Sequence, residues 1–301
     1  MKTATAFAPA HITGLFTVEG HRCPEMRGSR GVGVSLGKGV HTTVYAEKSP
    51  RWKTQFRLNG RPAEAEVSKA TVEEFKPFAP PHEVTVDHRV EVPIGAGYGS
   101  SGAGALSLAL ALNEALNAGL SSAEAAQLAH VAEVKCGTGL GTVLAETCGG
   151  LGLRVRAGAP GIGLCRRLPA SRGKVVSIYW KPLSTRSFLK DPLVLKKISR
   201  EGNRLLHRFM EKPTVEGFLS CSREFADRIS LFTGTPMQEF MKKLEGEGFP
   251  LFTVNMFGWA LFTLVTPEQL PELLSCLHSP KFLGGRVLVA DIDGEGARLL
   301  G

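Results

Sequence analysis

Aromatic residues are scarce in this chain, only 7% of 301 residues. Nucleic-acid binding calls for stacking aromatics along a concentrated basic stripe. The sequence has neither: Lys and Arg are dispersed, and the densest run, 181–208, carries Asp and Glu within it. CxxC pairs and Cys/His clusters with zinc spacing are also missing, which argues against a zinc module. The six cysteines, at 23, 136, 148, 165, 221 and 276, stand far apart. They are expected to be reduced, mostly buried thiols, with a disulfide between some pair left open. No apolar run is long enough to span a bilayer; LSLALALNEAL, from Leu106, is broken by Asn and Glu. The start, MKTATAFAPAHITG, lacks the sustained apolar segment of a signal peptide. A soluble cytoplasmic protein with neither a membrane nor a nucleic-acid partner is expected. What is present is a hydrophobic fraction of 43%, ample for a core, and a formal net charge of +8. That charge favours small anionic ligands, or else is a solvated basic surface.

The N-terminal part reads as strands and glycine turns. Thr3–Pro9 and Val40–Lys48 are strand-like, and the glycine-rich stretch EMRGSRGVGVSLGKG between them reads as a loop region. A short helix is predicted over Thr71–Phe78. In HEVTVDHRVEVP, Val84, Val86, Val90 and Val92 fall on alternate positions, the mark of a half-buried strand ended by Pro93. The Ala/Leu-rich run Ala103–Ala118, closed by Gly119, predicts a helix starting just after Ser100–Ser101. A second helix is predicted over Ser122–Lys135, where a serine cap precedes a first-turn glutamate. GTGLG then turns into the short helical stretch TVLAE, and GGLGLRVRAGAPGIG reads as a glycine-flanked strand and loop. Composition shifts near 168–173, which divides the chain into domains 1–168 and 169–301. In the second domain KVVSIYW and RVLVADID read as strands, with a buried strand pair around Phe252 and Trp259–Val265. Helices are predicted over Asp191–Met210, Thr214–Leu231, Pro236–Glu247 and Pro267–Leu277. Helices alternating with antiparallel strands make this half a ferredoxin-like α+β sandwich.

The segment PIGAGYGSSGAG, from Pro93 to Gly104, packs five glycines and two serines between a strand and a helix. Glycine permits close backbone approach and positive φ, and consecutive amides form an anion nest. The helix start adds unsatisfied N–H donors and about half a positive charge. Together these suit a polyphosphate. No Lys follows the glycines, so this is not a P-loop. No acidic residue ends a second strand about 20 residues on, so it is not a dinucleotide fingerprint. The serines can cap the helix, bond phosphate oxygens or bind Mg²⁺.

PIGAGYGSSGAGALS resembles the phosphate-binding motif of the GHMP kinases, a proline and a glycine-rich loop followed by Gly-Ser-Ser-Ala. APAHITGLF, from Ala8, resembles the family's N-terminal acceptor-side segment; TVNMFGWALFTLV, from Thr253, resembles its third motif, of whose glycines only Gly258 is present. Within the family, GSRGVGVSLGKGVHTTV, AEVKCGTGLGTVLAE and GGLGLRVRAGAPGIG look like blocks of the archaeal pantoate kinases. The resemblance implies a two-domain α+β GHMP kinase fold: an N-terminal domain like the second domain of ribosomal protein S5, then the ferredoxin-like domain. It implies phosphoryl transfer from ATP, with Mg²⁺, to the 4-hydroxyl of (R)-pantoate in coenzyme A biosynthesis. Other acceptors of the family (homoserine, mevalonate) and a non-catalytic nucleotide-binding relative are the alternatives. Pro93, Gly95, Gly97, Gly99, Ser100, Ser101 and Gly102 would bind ATP, and Ser101 and Glu133 would hold the metal. Family catalytic aspartate falls at Thr142, which cannot act as a base near neutral pH. Three readings stay open: catalysis without a base, which is preferred; service by another residue, Glu146 being the nearest carboxylate; or lost catalysis. Arg154, Arg30 and His21 are the candidates for the acceptor carboxylate, with His11 on the acceptor side. A homodimer is expected from base rates.

Overall fold

The structure, a computed structural model, describes residues 1–301 apart from 170–172, 183–190, 231, 233, 280, 281 and 283. It is built on two sheets. The first contains β1 (Lys2–Glu19), β2 (Gly28–Lys48), β3 (Lys53–Leu58), β4 (Arg61–Pro62), β5 (His82–Val90), β6 (Leu151–Arg156), β7 (Leu164–Leu168) and β12 (Arg298–Leu300). The main order is β12–β1–β2–β5–β3–β4, and β6 joins the other end of β2 and carries β7 at its edge. The second sheet runs β11 (Arg286–Asp291), β8 (Lys174–Lys181), β10 (Trp259–Val265), β9 (Thr253–Val254), all antiparallel. The helices are α1 (Glu66–Phe75), α2 (Ser100–Leu116), α3 (Ser122–Cys136), α4 (Thr142–Cys148), α5 (Pro192–Glu211), α6 (Val215–Ile229), α7 (Pro236–Gly246) and α8 (Leu270–Leu277). With β8 first, β9 and β10 as a hairpin, α8 and then β11, the second half has the βαββαβ order of a ferredoxin-like sandwich. The positions 170–172, where composition divides the chain, and 231, the predicted end of α6, lie outside the described residues. The last strand, β12, was not predicted. It returns to the first sheet and pairs antiparallel with β1.

The largest departure from the sequence reading is the first hairpin. The glycine-rich stretch read as loop is strand: β1 and β2 pair from Lys2↔Ala46 out to Glu19↔Gly28. The glycines serve close approach and not turns. A Cβ on Gly39 would sit 2.1 Å from the Ala8 carbonyl oxygen, and one on Gly33 2.3 Å from that of Ile12. The register shifts between Pro9 and His11 and between Thr13 and Leu15. At the first shift the His11 N–H turns out of the ladder to donate to the Tyr98 carbonyl at 2.9 Å.

Two cores lie along the hairpin. Ala4, Ala6, Val40 and Val44 pack with Val84 and Val86 of β5 against the Ala/Leu face of α2 and against α3. Further along the hairpin, Ile12, Leu15, Val32 and Val34 pack with Phe209, Phe218 and Phe262, joining α5, α6 and the second sheet. The junction of the two cores holds the site described below.

The alternation predicted in β5 is present, and it places His88 inward beside the valines. His88 reaches Thr42 Oγ1 through Nδ1 at 2.7 Å and Ser68 Oγ through Nε2 at 2.9 Å, and Thr42 meets Ser107 Oγ at 2.6 Å. Burial pushes the imidazole down to about 4. The unfolded chain takes up this proton near pH 6.5, so stability falls as pH drops from there to about 4, by about 3 kcal/mol for this residue. His88→Phe removes that contribution but strands the buried Ser68 hydroxyl, at about 1–3 kcal/mol, while Thr42 keeps Ser107 as a partner. Denaturant melts are expected to show the wild type ahead at pH 7, with the gap narrowing as pH falls toward 4.

Candidate active site

The glycine loop connects β5 to α2. Gly95, Gly97 and Gly99 have φ of 72, 79 and 65°, and Gly99 is the left-handed N-cap of α2. The sequence reading placed the serines ahead of the helix; instead Ser100 is its first residue, and neither serine caps it. The first-turn amides, which have no intrahelical acceptors, therefore receive no side-chain cap, and Ser101 is left to make another contact. Its Oγ donates to Glu133 Oε1 at 2.5 Å. Glu133 lies in the last turn of α3, which begins at a full capping box between Ser121 and Glu124 and ends at left-handed Gly137. Thr138 Oγ1 donates to the same Glu133 oxygen at 2.7 Å. The carboxylate is buried, and desolvation pushes its pKa up against the pull of the two hydroxyls.

The loop is held from the second sheet. Tyr98 is buried, and its hydroxyl lies 2.7 Å from Ser177 Oγ on β8. Gly258 packs flat on the loop: a Cβ there would sit 2.0 Å from the Ala96 carbonyl oxygen. Asn255 Nδ2 donates to that oxygen at 3.4 Å. The single glycine of the third motif thus supports the loop's backbone. Gly258→Ala is expected to displace the loop, raising KM for nucleotide at least about tenfold, the equivalent of about 1.4 kcal/mol. Melting temperature should fall as well; unchanged nucleotide KM would mean the contact is dispensable.

A cavity of about 100 Å³ opens beside the loop, walled by Gly97 and Gly99, by the turn 138–142, and by His11, Ser29 and Arg154. Arg154 projects from β6 and is 2% exposed. Its Nη1 lies 3.3 Å from His11 Nε2, and its Nε has no hydrogen-bond partner among the described residues. Burial and the guanidinium together push the His11 pKa well down, so His11 is neutral; Nδ1 lies 3.3 Å from Ser35 Oγ. A neutral His11 accepts from Arg154 through Nε2 and carries its proton on Nδ1. The unused Nε donor of a buried cation is an invitation to an anion. Gly141 lies close by, where a Cβ would meet Ser29 Oγ at 2.3 Å and Arg154 Nε at 3.4 Å.

The description "GHMP kinases N terminal domain" matches residues 65–150. A pantoate kinase of Thermococcus kodakarensis is 36% identical over 282 residues, covering 91% of this chain and 93% of the relative. The chain belongs to the GHMP kinases. A second relative, the pantoate kinase of Methanocaldococcus jannaschii, is 30% identical, covering 91% of this chain and 97% of that one. Among solved structures, a "phosphotransferase related to CoA biosynthesis pathway" superposes with a TM-score of 0.89 at 32% identity, covering 99% and 98% of the two chains. The mevalonate diphosphate decarboxylase of Staphylococcus aureus has the same fold, with a TM-score of 0.74 at 16% identity over 100% and 98% of the chains. GHMP kinases use ATP.

In this GHMP kinase the predicted residues divide into two groups. Gly97, Gly99, Thr142 and Arg154 line one cavity, while Ser101 and Glu133 are not among its lining residues but meet each other beside it, Glu133 also being bonded by the cavity-lining Thr138. Arg30 and His21 do not reach it. Arg30 is engaged by the Glu19 carboxylate and by Asn203 Oδ1 at 2.6 Å. His21 is exposed between β1 and β2, its Nδ1 accepting from the Cys23 N–H at 3.0 Å. Glu146 is buried and is not among the cavity-lining residues. Burial and the Glu133 charge push it well up, against Arg154 and the Ala103 amide. Ser29 and Thr138 were missed; both stand next to glycines in SRGVG and GTGLG, the one local hint available.

Proposed function

We propose that this GHMP kinase transfers the γ-phosphoryl group of ATP to the 4-hydroxyl of (R)-pantoate, giving (R)-4-phosphopantoate for coenzyme A biosynthesis. The observation that carries the reading is one cavity lined on one side by the glycine loop and on another by Arg154, a buried cation whose Nε has no hydrogen-bond partner among the described residues. A loop suited to polyphosphate and a cation suited to a small carboxylate thus line the same space. The relatives that match over most of the chain are pantoate kinases.

The loop amides and the α2 N-terminus hold the phosphate chain. Ser101 and Glu133 fit a hard cation, since their donors are a hydroxyl and a carboxylate. No group of three or more His, Cys, Asp or Glu that could hold a metal occurs among the described residues, so phosphate and water would complete the shell. Magnesium of that kind, when bound, neutralises phosphate charge. MDDEF, solved with MVAPP, AMPPCP and magnesium, shares the fold at 18% identity and a TM-score of 0.74. Arg154 grips the acceptor carboxylate and so orients its hydroxyl toward the loop, a matter of positioning more than of bond chemistry. Thr142 lines the cavity, at the position that the family resemblance gives to a catalytic aspartate. In a loose transition state the nucleophile loses its proton late, so a strong base is not required.

The test is ADP release by purified protein with ATP and magnesium over pantoate, homoserine and mevalonate. Release that depends on pantoate supports the assignment. Release with another acceptor only would move the chain within the family, and none with any would make it a binding protein.

A further inference from the structure

Behind the cavity, two cysteines that are remote in sequence have come together. Cys148 is the last residue of α4, and Cys165 lies on the edge strand β7. Their sulfurs lie beside one glycine, and neither is in a disulfide. Gly152 on β6 leaves them room. A Cβ there would lie 3.2 Å from the Cys165 sulfur and 3.9 Å from that of Cys148. Both residues are partly exposed, so a small reagent can reach them.

The surroundings are cationic. Arg154 stands opposite Cys165 in the β6–β7 register, and Arg167 Nη2 donates to the Cys148 carbonyl oxygen at 2.8 Å. Both guanidinium groups act on both sulfurs. Positive charge disfavours a divalent cation between the sulfurs and favours a thiolate. The neighbouring Cys165 thiol and the two arginines hold the Cys148 thiol below the usual range; the Cys165 thiol is pushed up in turn.

We propose that Cys148 and Cys165 form a dithiol modification site that reacts with small organic disulfides and closes to an internal disulfide. The Cys148 thiolate attacks one sulfur of the reagent, forming a mixed disulfide and expelling one thiolate. Cys165 loses its proton and attacks the Cys148 sulfur, expelling the second. Two protein thiols are oxidised, one reagent disulfide is reduced to two thiols, and the protons end on the released thiols. Cys23 provides the internal contrast. It is exposed, and its thiol donates to Glu25 Oε2 at 2.6 Å. With no second thiol in that contact, its reaction stops at the mixed disulfide.

The experiment treats the full-length Cys23→Ser protein with hydroxyethyl disulfide and follows intact mass and tryptic peptides. The expected product has lost two hydrogen atoms, carries a linked peptide pair containing 148 and 165, and reverts with dithiothreitol. Cys165→Ser in the same background should instead stop with one hydroxyethylthio group on Cys148. A wild-type pair that accumulates mixed disulfides, stays unreacted, or yields a link between other cysteines overturns the proposal. These readouts need no turnover, so the result stands apart from the acceptor assay.

Discussion

Glu133→Gln is expected to lower kcat by roughly 10²–10⁴-fold, the scale of several kcal/mol of metal-borne charge stabilisation. The substitution keeps the size and an acceptor oxygen for Ser101 and Thr138 but removes the charge that would hold magnesium. It also removes a buried carboxylate whose ionised form is disfavoured by desolvation. Melting temperature should therefore stay level or rise while activity collapses. That opposition separates a functional carboxylate from a structural one, because a merely structural residue would lower both. Steady-state rates beside thermal melts read it, and activity within threefold of wild type would remove Glu133 from the mechanism. Ser101→Ala should follow in the same direction.

Arg154→Met is expected to raise KM for the acceptor by about 10–150-fold, the equivalent of losing a charged hydrogen bond at about 1.5–3 kcal/mol. KM for ATP should remain within about twofold, since the glycine loop keeps its own supports in Tyr98 and Gly258. Lysine at 154 keeps the charge but loses the planar fork, so it should restore only part of the loss. Methionine also leaves His11 without its Nη1 partner, which makes the lysine variant the cleaner comparison. Should both KM values rise together, Arg154 would be supporting the site as a whole and not selecting the acceptor.

Arg154 and Arg30 show where reading residues in order succeeds and fails. Both are arginines near glycines, and nothing local distinguishes them. Arg154 lies on a strand whose partner residues are Gly31 and Cys165, in a buried pocket without a carboxylate bonded to it. Arg30 meets Glu19 across the hairpin and is spent there. The setting of Arg154 is decided by the β2–β6 register, between residues over a hundred apart, and that of Arg30 by the first hairpin.

What this sequence determined by itself is whatever acts within one helical turn or one strand. The alternation of β5, the capping box of α3 and the glycine-to-helix transition near residue 100 all follow from local sterics and hydrogen bonding. Those suffice to announce a polyphosphate loop. Tertiary structure alone decided that the glycines from 28 to 39 belong to a strand, that β12 returns to the first sheet, and that Tyr98 and Gly258 brace the loop. The physical reason is that an absent Cβ has the same appearance in a turn and in a close approach. Only the backbone that comes to lie against it, brought from far along the chain, tells which one it is.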